Sequence, residues 1–357
     1  MSHMKKQSGF TLTELIIATA LGITLSAGVI EIYSSSKQTY RSQEALSRLQ
    51  ENARFAIDII SRDIRNSGFI GCSRISETAI QGQATTGLNY DEEMAIWGKQ
   101  STGDNDPGDI EGGYNIPSIT NIIENSRYGD TDVLVVQGTS GCSVKLASDM
   151  SDATGSVNIA SNACGFQQND HVLVSNCGTA DVFQITSDPS SNNSLTHTDS
   201  PTLSTAYLSD GFTEVFPFYS NTYFIGSEVQ PDGSEMPSLV VVDNTEPDPT
   251  TVALVEGVES MQLQYGIDTN NDGFANIYLN AEEVGTYNIS NFDPSAEAID
   301  WSKVSAVRVT LLLRTIENVG SGAEVNFTLG GDEERTFNEG RPIRQQFVST
   351  IQLRNRG

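Results

Sequence analysis

The stretch Phe10-Thr11-Leu12-Thr13-Glu14-Leu15-Ile16-Ile17 opens a run that reaches Ile30 with Glu14 as its one ionisable side chain. A helix needs about 20 apolar residues to cross the hydrocarbon core of a bilayer, and residues 10–30 supply them. Lys5 and Lys6 precede the run with no acid beside them, which keeps the first residues cytoplasmic and sends the rest of the chain outward. A cleaved secretory signal is one alternative, but the run is long for one and no small-x-small site lies just beyond it. A plain signal anchor is another, and it leaves Glu14 without a reason. A carboxylate deep in a bilayer costs roughly 2.5–3.5 kcal/mol and needs a partner.

Beyond the apolar run the helical pattern continues. Leu46, Leu49, Ala53, Ile57, Ile60 and Ile64 recur at spacings of three and four and form one apolar stripe, with charges of both signs on the opposite face. Asn66-Ser67-Gly68 ends the pattern, with Gly68 as the stop. A helix from Phe10 to Asn66 rises about 85 Å, so its outer half is expected to lie along a body, the stripe packed on a sheet.

The chain has 357 residues and 38.5 kDa, with 46 acidic side chains against 20 Lys and Arg, a formal charge of −26 and a pI near 4.3. That balance argues against binding nucleic acid, which needs clustered cations. The acidity is localised. Residues 1–71 carry eight basic and six acidic side chains, whereas residues 146–302 carry 23 acids and no Lys or Arg. Such a segment repels itself at low ionic strength, and it suits salty surroundings or bound divalent cations.

After Cys72 the apolar runs become short and rich in Val, Ile and Tyr, separated by Gly, Ser, Asn and Asp. Strands are expected at Asp132–Gln137, His171–Ser175, Val182–Thr186, Thr222–Gly226, Leu239–Asp243, Thr251–Glu256, Ser260–Asp268, Ser302–Arg314 and Phe347–Arg354. Gly98–Pro117 and Asp188–Thr202 read as loops. The fold class is α+β, a long helix on antiparallel sheet with an enlarged β-rich insert. Its divisions are a leader over 1–9, the helix over 10–66 and the body over 67–357. Cys72, Cys142, Cys164 and Cys177 form an even set in an oxidising compartment, which suggests two disulfides with three possible connectivities. Proximity favours Cys164–Cys177, leaving Cys72–Cys142. A metal site is the rival, but no C-x-x-C spacing occurs and His171 is the one imidazole near them.

Asp268-Thr269-Asn270-Asn271-Asp272-Gly273-Phe274-Ala275-Asn276 follows the D-x-[DN]-x-[DN]-G pattern of a Ca²⁺ loop. Asp268, Asn270, Asp272, Phe274 and Asn276 occupy the ligand positions, so calcium is the one cofactor the sequence suggests. Leu279 stands where the usual bidentate Glu belongs, and Glu282 or Glu283 would have to replace it. The alternative is a polar Asx/Gly turn between strands.

Catalysis is not expected. His3, His171 and His197 are the only imidazoles, and no G-x-S-x-G, H-E-x-x-H or phosphate loop is present. The acid groups Glu282-Glu283 and Asp91-Glu92-Glu93 could serve a two-carboxylate mechanism, but they read more simply as solvated surface.

The string Gly9-Phe10-Thr11-Leu12-Thr13-Glu14 resembles the class III signal of type IV prepilins. The resemblance implies cleavage between Gly9 and Phe10 by a prepilin peptidase, N-methylation of Phe10, and a role for Glu14 in pairing with a neighbouring subunit's terminal amine. Ala53-Arg54-Phe55-Ala56-Ile57-Asp58-Ile59-Ile60-Ser61-Arg62-Asp63-Ile64-Arg65 and Gly68-Phe69-Ile70-Gly71-Cys72 resemble PilW-type minor pilins. So do Val307-Arg308-Val309-Thr310-Leu311-Leu312-Leu313-Arg314 and Leu353-Arg354-Asn355-Arg356. The resemblance is good over roughly the first 72 and last 60 residues and weak between them. It implies a type IV pilin fold and a subunit that primes pilus assembly near the tip, supporting twitching motility and adhesion. It also implies partners among major and minor pilins, the inner-membrane assembly machinery and a tip adhesin. The chain would pass from the inner membrane, its N-terminus cytoplasmic, to an extracellular pilus. Many major pilins have a Pro about 22 positions into the mature chain; here that neighbourhood reads Gly28-Val29-Ile30-Glu31, so any loosening falls to Gly22 and Gly28. The rivals are a type II secretion pseudopilin, usually a shorter chain, and a membrane-tethered, calcium-dependent binding or hydrolytic module.

Overall fold

The computed structural model describes residues 10–71, 79–82, 95–101, 110–111, 122, 128–176, 178–198, 202–229, 235–246, 248–284, 286, 299–320, 325–329, 333–337 and 342–355. Gly9, Cys72, Cys177 and the acids at 91–93 lie outside them. Helix α1 spans Leu12–Asn66 as one uninterrupted element of 55 residues, passing Gly22 and Gly28 without a break. Its start is fixed by a reciprocal capping box. The Thr11 hydroxyl accepts from the Glu14 main-chain N–H (3.3 Å), and the Glu14 carboxylate accepts from the Thr11 N–H (2.9 Å). Its end falls where the pattern placed it. Gly68 takes a positive φ of 68°, and its N–H donates to Gln137 O (3.1 Å).

Among the described residues eighteen strands follow. In chain order they are β1 Ala79–Gly82, β2 Ile96–Ser101, β3 Ile110–Glu111, β4 Val133–Thr139, β5 Val144–Lys145 and β6 Val157–Asn158. Next come β7 His171–Ser175, β8 Thr179–Gln184, β9 Ser194–Leu195, β10 Glu214–Val229, β11 Glu235–Asp243 and β12 Thr251–Glu256. The last are β13 Val258–Ile267, β14 Ile277–Leu279, β15 Val304–Arg314, β16 Val325–Leu329, β17 Glu333–Phe337 and β18 Arg344–Gln352. The smaller main sheet has the order β14-β13-β15-β18 and is antiparallel throughout, Leu263 facing Val309 and Val309 facing Ser349. The larger follows β1-β8-β7-β10-β4-β2-β3, with β11, β12 and β5 branching from that path, and it contains one parallel pair, β1 with β8.

Three expectations need correction. Strand β10 begins at Glu214 rather than Thr222 and runs through Pro217, a residue that ordinarily ends a central strand. It sits where β10 changes partner, the last residue paired with β7 before Phe218 takes up β4. Gly98, read as a loop start, lies inside β2. A Cβ there would come within 1.8 Å of the Tyr265 hydroxyl, so this glycine is required by packing rather than by a turn. The Ser-, Asn- and Asp-rich stretch from Asp188 contains a short strand, Ser194–Leu195, paired with β6.

The apolar stripe of α1 closes the main core. Leu49, Ala53, Ala56, Ile60 and Ile64 are buried with Met261, Leu263, Tyr265, Val307, Val309 and Leu311 of the smaller sheet and with β4 of the larger. A second core fills the insert, built from residues such as Val157, Phe183, Leu195, Leu203, Tyr207 and Val215. A third, with Ile70, Leu173, Val182 and Phe216, lies just past the helix end.

Candidate functional site

The first half of α1 has no cover. From Phe10 to Tyr40 every residue except the half-exposed Gly28 is exposed, including Leu15, Ile16, Ile17, Leu21, Ile23, Leu25, Val29 and Ile30. A helix apolar on all sides belongs in a bilayer or among other helices. α1 is long and apolar enough to span, and that segment contributes nothing to the body's own core. Its polar atoms suit the same setting. The Thr19 hydroxyl donates to Leu15 O (2.9 Å) and that of Thr24 to Leu21 O (2.9 Å), so these hydroxyls are satisfied within the helix. Glu14 is held likewise, its carboxylate also accepting from the Thr11 hydroxyl (2.9 Å). Phe10 stands at the tip, 89% exposed, one residue before the cap.

The second half of α1 is fastened to the body by polar clamps as well as by its stripe. Asp63 is buried, and its carboxylate accepts from Asn221 Nδ2 (2.9 Å) and the Tyr223 hydroxyl (2.5 Å) of β10. Burial, then the Asp63 charge, pushes the Tyr223 phenol well above its ordinary range. Asn52 Nδ2 donates to Glu256 O (3.2 Å) on β12. Asn355 Nδ2 donates to Ser67 O (3.2 Å), so the chain's last described residue closes over the helix's C-terminal end. Within the smaller sheet, Glu259 on β13 forms a buried ion pair with Arg344 of β18 (2.6 Å). The buried Asp63 and its partners were not legible as a site, since an acid on an amphipathic helix ordinarily reads as surface. The capping box was missed as well, although Thr11-x-x-Glu14 just ahead of an apolar run is its signature.

The insert carries a correction. The disulfide joins Cys142 to Cys164 (Cα–Cα 5.9 Å), so neither Cys164–Cys177 nor Cys72–Cys142 forms. Chain proximity misled because the intervening residues fold back on themselves. Leu146 bridges Ile159, Ala147 N–H donates to Asn158 O (2.7 Å), and Ala160 N–H donates to Lys145 O (2.9 Å). Extending that register outward brings Cys142 beside Cys164. Nearby, Asp181 is fully buried on β8, and one carboxylate oxygen accepts from Ser204 N–H (2.8 Å), Ser204 Oγ (2.7 Å) and Tyr207 OH (2.9 Å). Burial outweighs these bonds and pushes its pKa up.

The loop after β13 brings its predicted residues together. Asp268 accepts from the N–H groups of Asn270 (3.2 Å), Asp272 (3.3 Å) and Gly273 (2.7 Å). Asn270 Nδ2 donates to Asp272 Oδ2 (3.0 Å), and Asn276 Oδ1 accepts from Thr269 N–H (2.9 Å). Phe274 is exposed, and its N–H donates to Asp272 Oδ1 (2.9 Å). Glu283 caps its own turn, its carboxylate accepting from Asn280 N–H (2.8 Å). Among the described residues no group of three or more His, Cys, Asp or Glu side chains is placed to hold a metal.

Residues 4–30 match the prokaryotic N-terminal methylation motif, and residues 222–355 match the family described as type IV pilus-assembly protein W, PilW. The second match starts within β10 and so takes in β11 to β18, a longer share of the tail than the sequence resemblance covered. No curated protein and no solved structure matches the chain. The insert, from β5 to β9, lies between the two matches, which fall on the uncovered end of α1 and on the sheet that carries its other half. Signal, helix and sheet agree, and the two matches together support a type IV pilin-like minor pilin.

Proposed function

We propose that this chain primes assembly of a type IV pilus, is built in at or near the tip, and supports twitching motility and adhesion. The observation that carries the reading is the uncovered apolar half of α1, which the body leaves exposed on every side. It lies in the inner membrane before assembly and among the helices of neighbouring pilins afterwards. Prepilin peptidase cuts after Gly9, Phe10 is N-methylated, and Glu14 exchanges its Thr11 bonds for a neighbouring subunit's amine, which offsets the burial of its charge. The body is extracytoplasmic, as Lys5 and Lys6 before the span and the Cys142–Cys164 disulfide both favour. The role is structural rather than enzymatic. The enlarged insert supports a place at the tip, where it meets the assembly machinery's other minor pilins and an adhesin.

Gly9→Val and Glu14→Ala test the reading. Each is expected to abolish surface piliation or its priming while the full-length protein is still inserted, and wild-type piliation in both variants would sink it. Deletion of the chain separates the pilus from type II secretion: loss of twitching with secretion intact supports the pilus, the reverse a pseudopilin. Calcium at the Asp268 loop belongs to the same proposal on donor chemistry alone, with two carboxylates, Asp268 and Asp272, flanking the Asn270 amide. A calorimetric titration without heat, together with a melting temperature indifferent to EDTA, would remove it.

A further inference from the structure

The loop between β9 and β10 holds two large apolar side chains in the open, Leu208 at 53% exposure and Phe212 at 69%. The backbone that carries them is fixed. Ser209 N–H and Oγ donate to Asp149 Oδ1 (2.7 and 2.8 Å), and Asp210 Oδ1 accepts from the N–H groups of Phe212 (2.9 Å) and Thr213 (3.0 Å). Gly211 turns the chain at a φ of 87°, and its carbonyl accepts from Lys145 Nζ (3.1 Å). Apolar side chains on a preorganised loop leave a partner little ordering to impose. Their surroundings are acidic. Asp149, Asp210 and Glu214 stand against Lys145, and no further Lys or Arg follows in the sequence until Lys303.

The opposite character occurs at the other end of the body. A cleft between α1 and the segment after β15 is lined by the apolar Ala45, Leu49 and Ile316 and by Arg41, Arg48 and Arg314. Arg48 holds Glu44 (2.9 Å), and Arg314 leans on the buried Glu259 (3.5 Å). Arg41 has no hydrogen-bond or ion-pair partner among the described residues. Glu44 and Glu317 complete the charged lining, so the arginines are in excess. The cleft's volume of about 70 Å³ is far below the roughly 300 Å³ of a small-molecule pocket, and it suits the tip of a side chain instead.

Strand β10 separates the two features. It runs 16 residues from Glu214, just past the loop, to Val229, a length of about 50 Å. Val229 pairs with Glu235, whose carbonyl accepts from Arg314 Nη2 (3.2 Å) at the cleft. Between them Asn221 and Tyr223 hold Asp63 near the end of α1. The loop therefore lies past the helix's C-terminal end, and the cleft lies where the body's cover of α1 begins. A short loop cannot reach its own chain's cleft across that span.

We propose that the 208–212 loop of one copy docks in the cleft of a second copy, its apolar tips against Leu49 and Ile316 and its acids toward the arginines. The two patches differ, so the contact is head-to-tail. It leaves a free loop at one end and a free cleft at the other, and it builds an open row rather than a closed pair. Copies standing side by side in one membrane set their loops level. The contact therefore forms between copies displaced along α1 by about the length of β10.

The test is sedimentation velocity of the full chain in detergent, comparing wild type with Phe212→Gln and Arg41→Glu. Both residues are exposed and lie outside the three cores, so unchanged melting temperatures are expected. Should either variant not fold, L208Q or R41Q takes its place. Wild type is expected to form species larger than a monomer as concentration rises, and each variant to weaken that association about tenfold or more. An equimolar mixture of F212Q and R41E retains one intact loop and one intact cleft, and it should form dimers and nothing longer. Association through the uncovered half of α1 would be equal in all samples. A monomeric wild type, variants that associate like wild type, or a mixture no better than its components overturns the proposal. Weakening by R41E alone gives the cleft a different occupant and overturns it as well.

Discussion

The two halves of α1 are built from the same backbone and opposite surfaces. The first half, apolar all round as far as Ile30, meets nothing; the second is apolar along one stripe and is clamped by Asp63, Asn52 and Asn355. One continuous helix is thus divided by what its side chains need, not by any break in its hydrogen bonding. The body's stability should depend on the second half alone, while the first half waits for lipid or other subunits. Ile60→Ala breaks the clad half where burial is complete, and about 2–5 kcal/mol of unfolding free energy is expected to go. Leu21→Ala removes a similar side chain from the uncovered half and should leave denaturant unfolding of the body within about 0.5 kcal/mol of wild type. Equal losses in the two variants would mean that the helix is stabilised as one unit.

The insert offers a contrast of its own. The disulfide closes a separation of 22 residues within one lobe, so Cys142→Ser is expected to lose about 3 kcal/mol, read by denaturant unfolding under oxidising conditions. Hydrogen exchange should place the loss in the insert and leave the amides of β13 and β15 protected. If those amides lose protection equally, the two cores unfold together.

How far the sequence revealed this division depends on the kind of signal. The helix was legible to within a residue or two at its end, because an apolar run, a stripe at spacings of three and four, and a terminal Gly68 all agree. His171–Ser175 and Thr251–Glu256 were legible as strands because apolar and β-branched residues fill them and polar residues bound them. Gly98 misled, since its local preference is overridden by the Tyr265 hydroxyl, and the first half of β10 was missed, up to where the strand changes partner after Pro217. The cysteine pairing was not legible, because it follows from a fold-back that two-residue strands mark only weakly. The uncovered helix was visible from composition. Asp63 was not, because its partners Asn221 and Tyr223 lie far along the chain.

Acid sharpens the contrast between the lobes. Burial lowers the pKa of His171 in the folded state, with Asp243 pulling the other way. A base whose folded pKa is lowered binds its proton better when unfolded. Its contribution is therefore intact above the ordinary imidazole value of about 6.5 and is lost as pH falls below it. The insert is therefore expected to lose protection on acidification to about pH 5. His171→Asn should flatten that loss, and persistence of the loss in the variant would assign it to the acids.

The smallest effect concerns charge. The α1 region is nearly balanced, whereas residues 146–302 hold 23 acids without a Lys or Arg. Raising ionic strength from about 0.01 to 0.15 M shortens the screening length from about 30 to 8 Å, which weakens repulsion among those acids but hardly touches contacts made at hydrogen-bond distance. The melting temperature of the full chain in detergent should therefore rise modestly with NaCl, with the gain in protection falling on the body rather than on Leu49–Ile64. Calcium separates general screening from a specific site. At equal ionic strength, an extra rise with CaCl₂ that vanishes in Asp268→Ala places the ion in the loop, because mass action stabilises only the state that binds. An identical rise with both salts would leave Asp268 with the work its hydrogen bonds already show, closing a turn between β13 and β14.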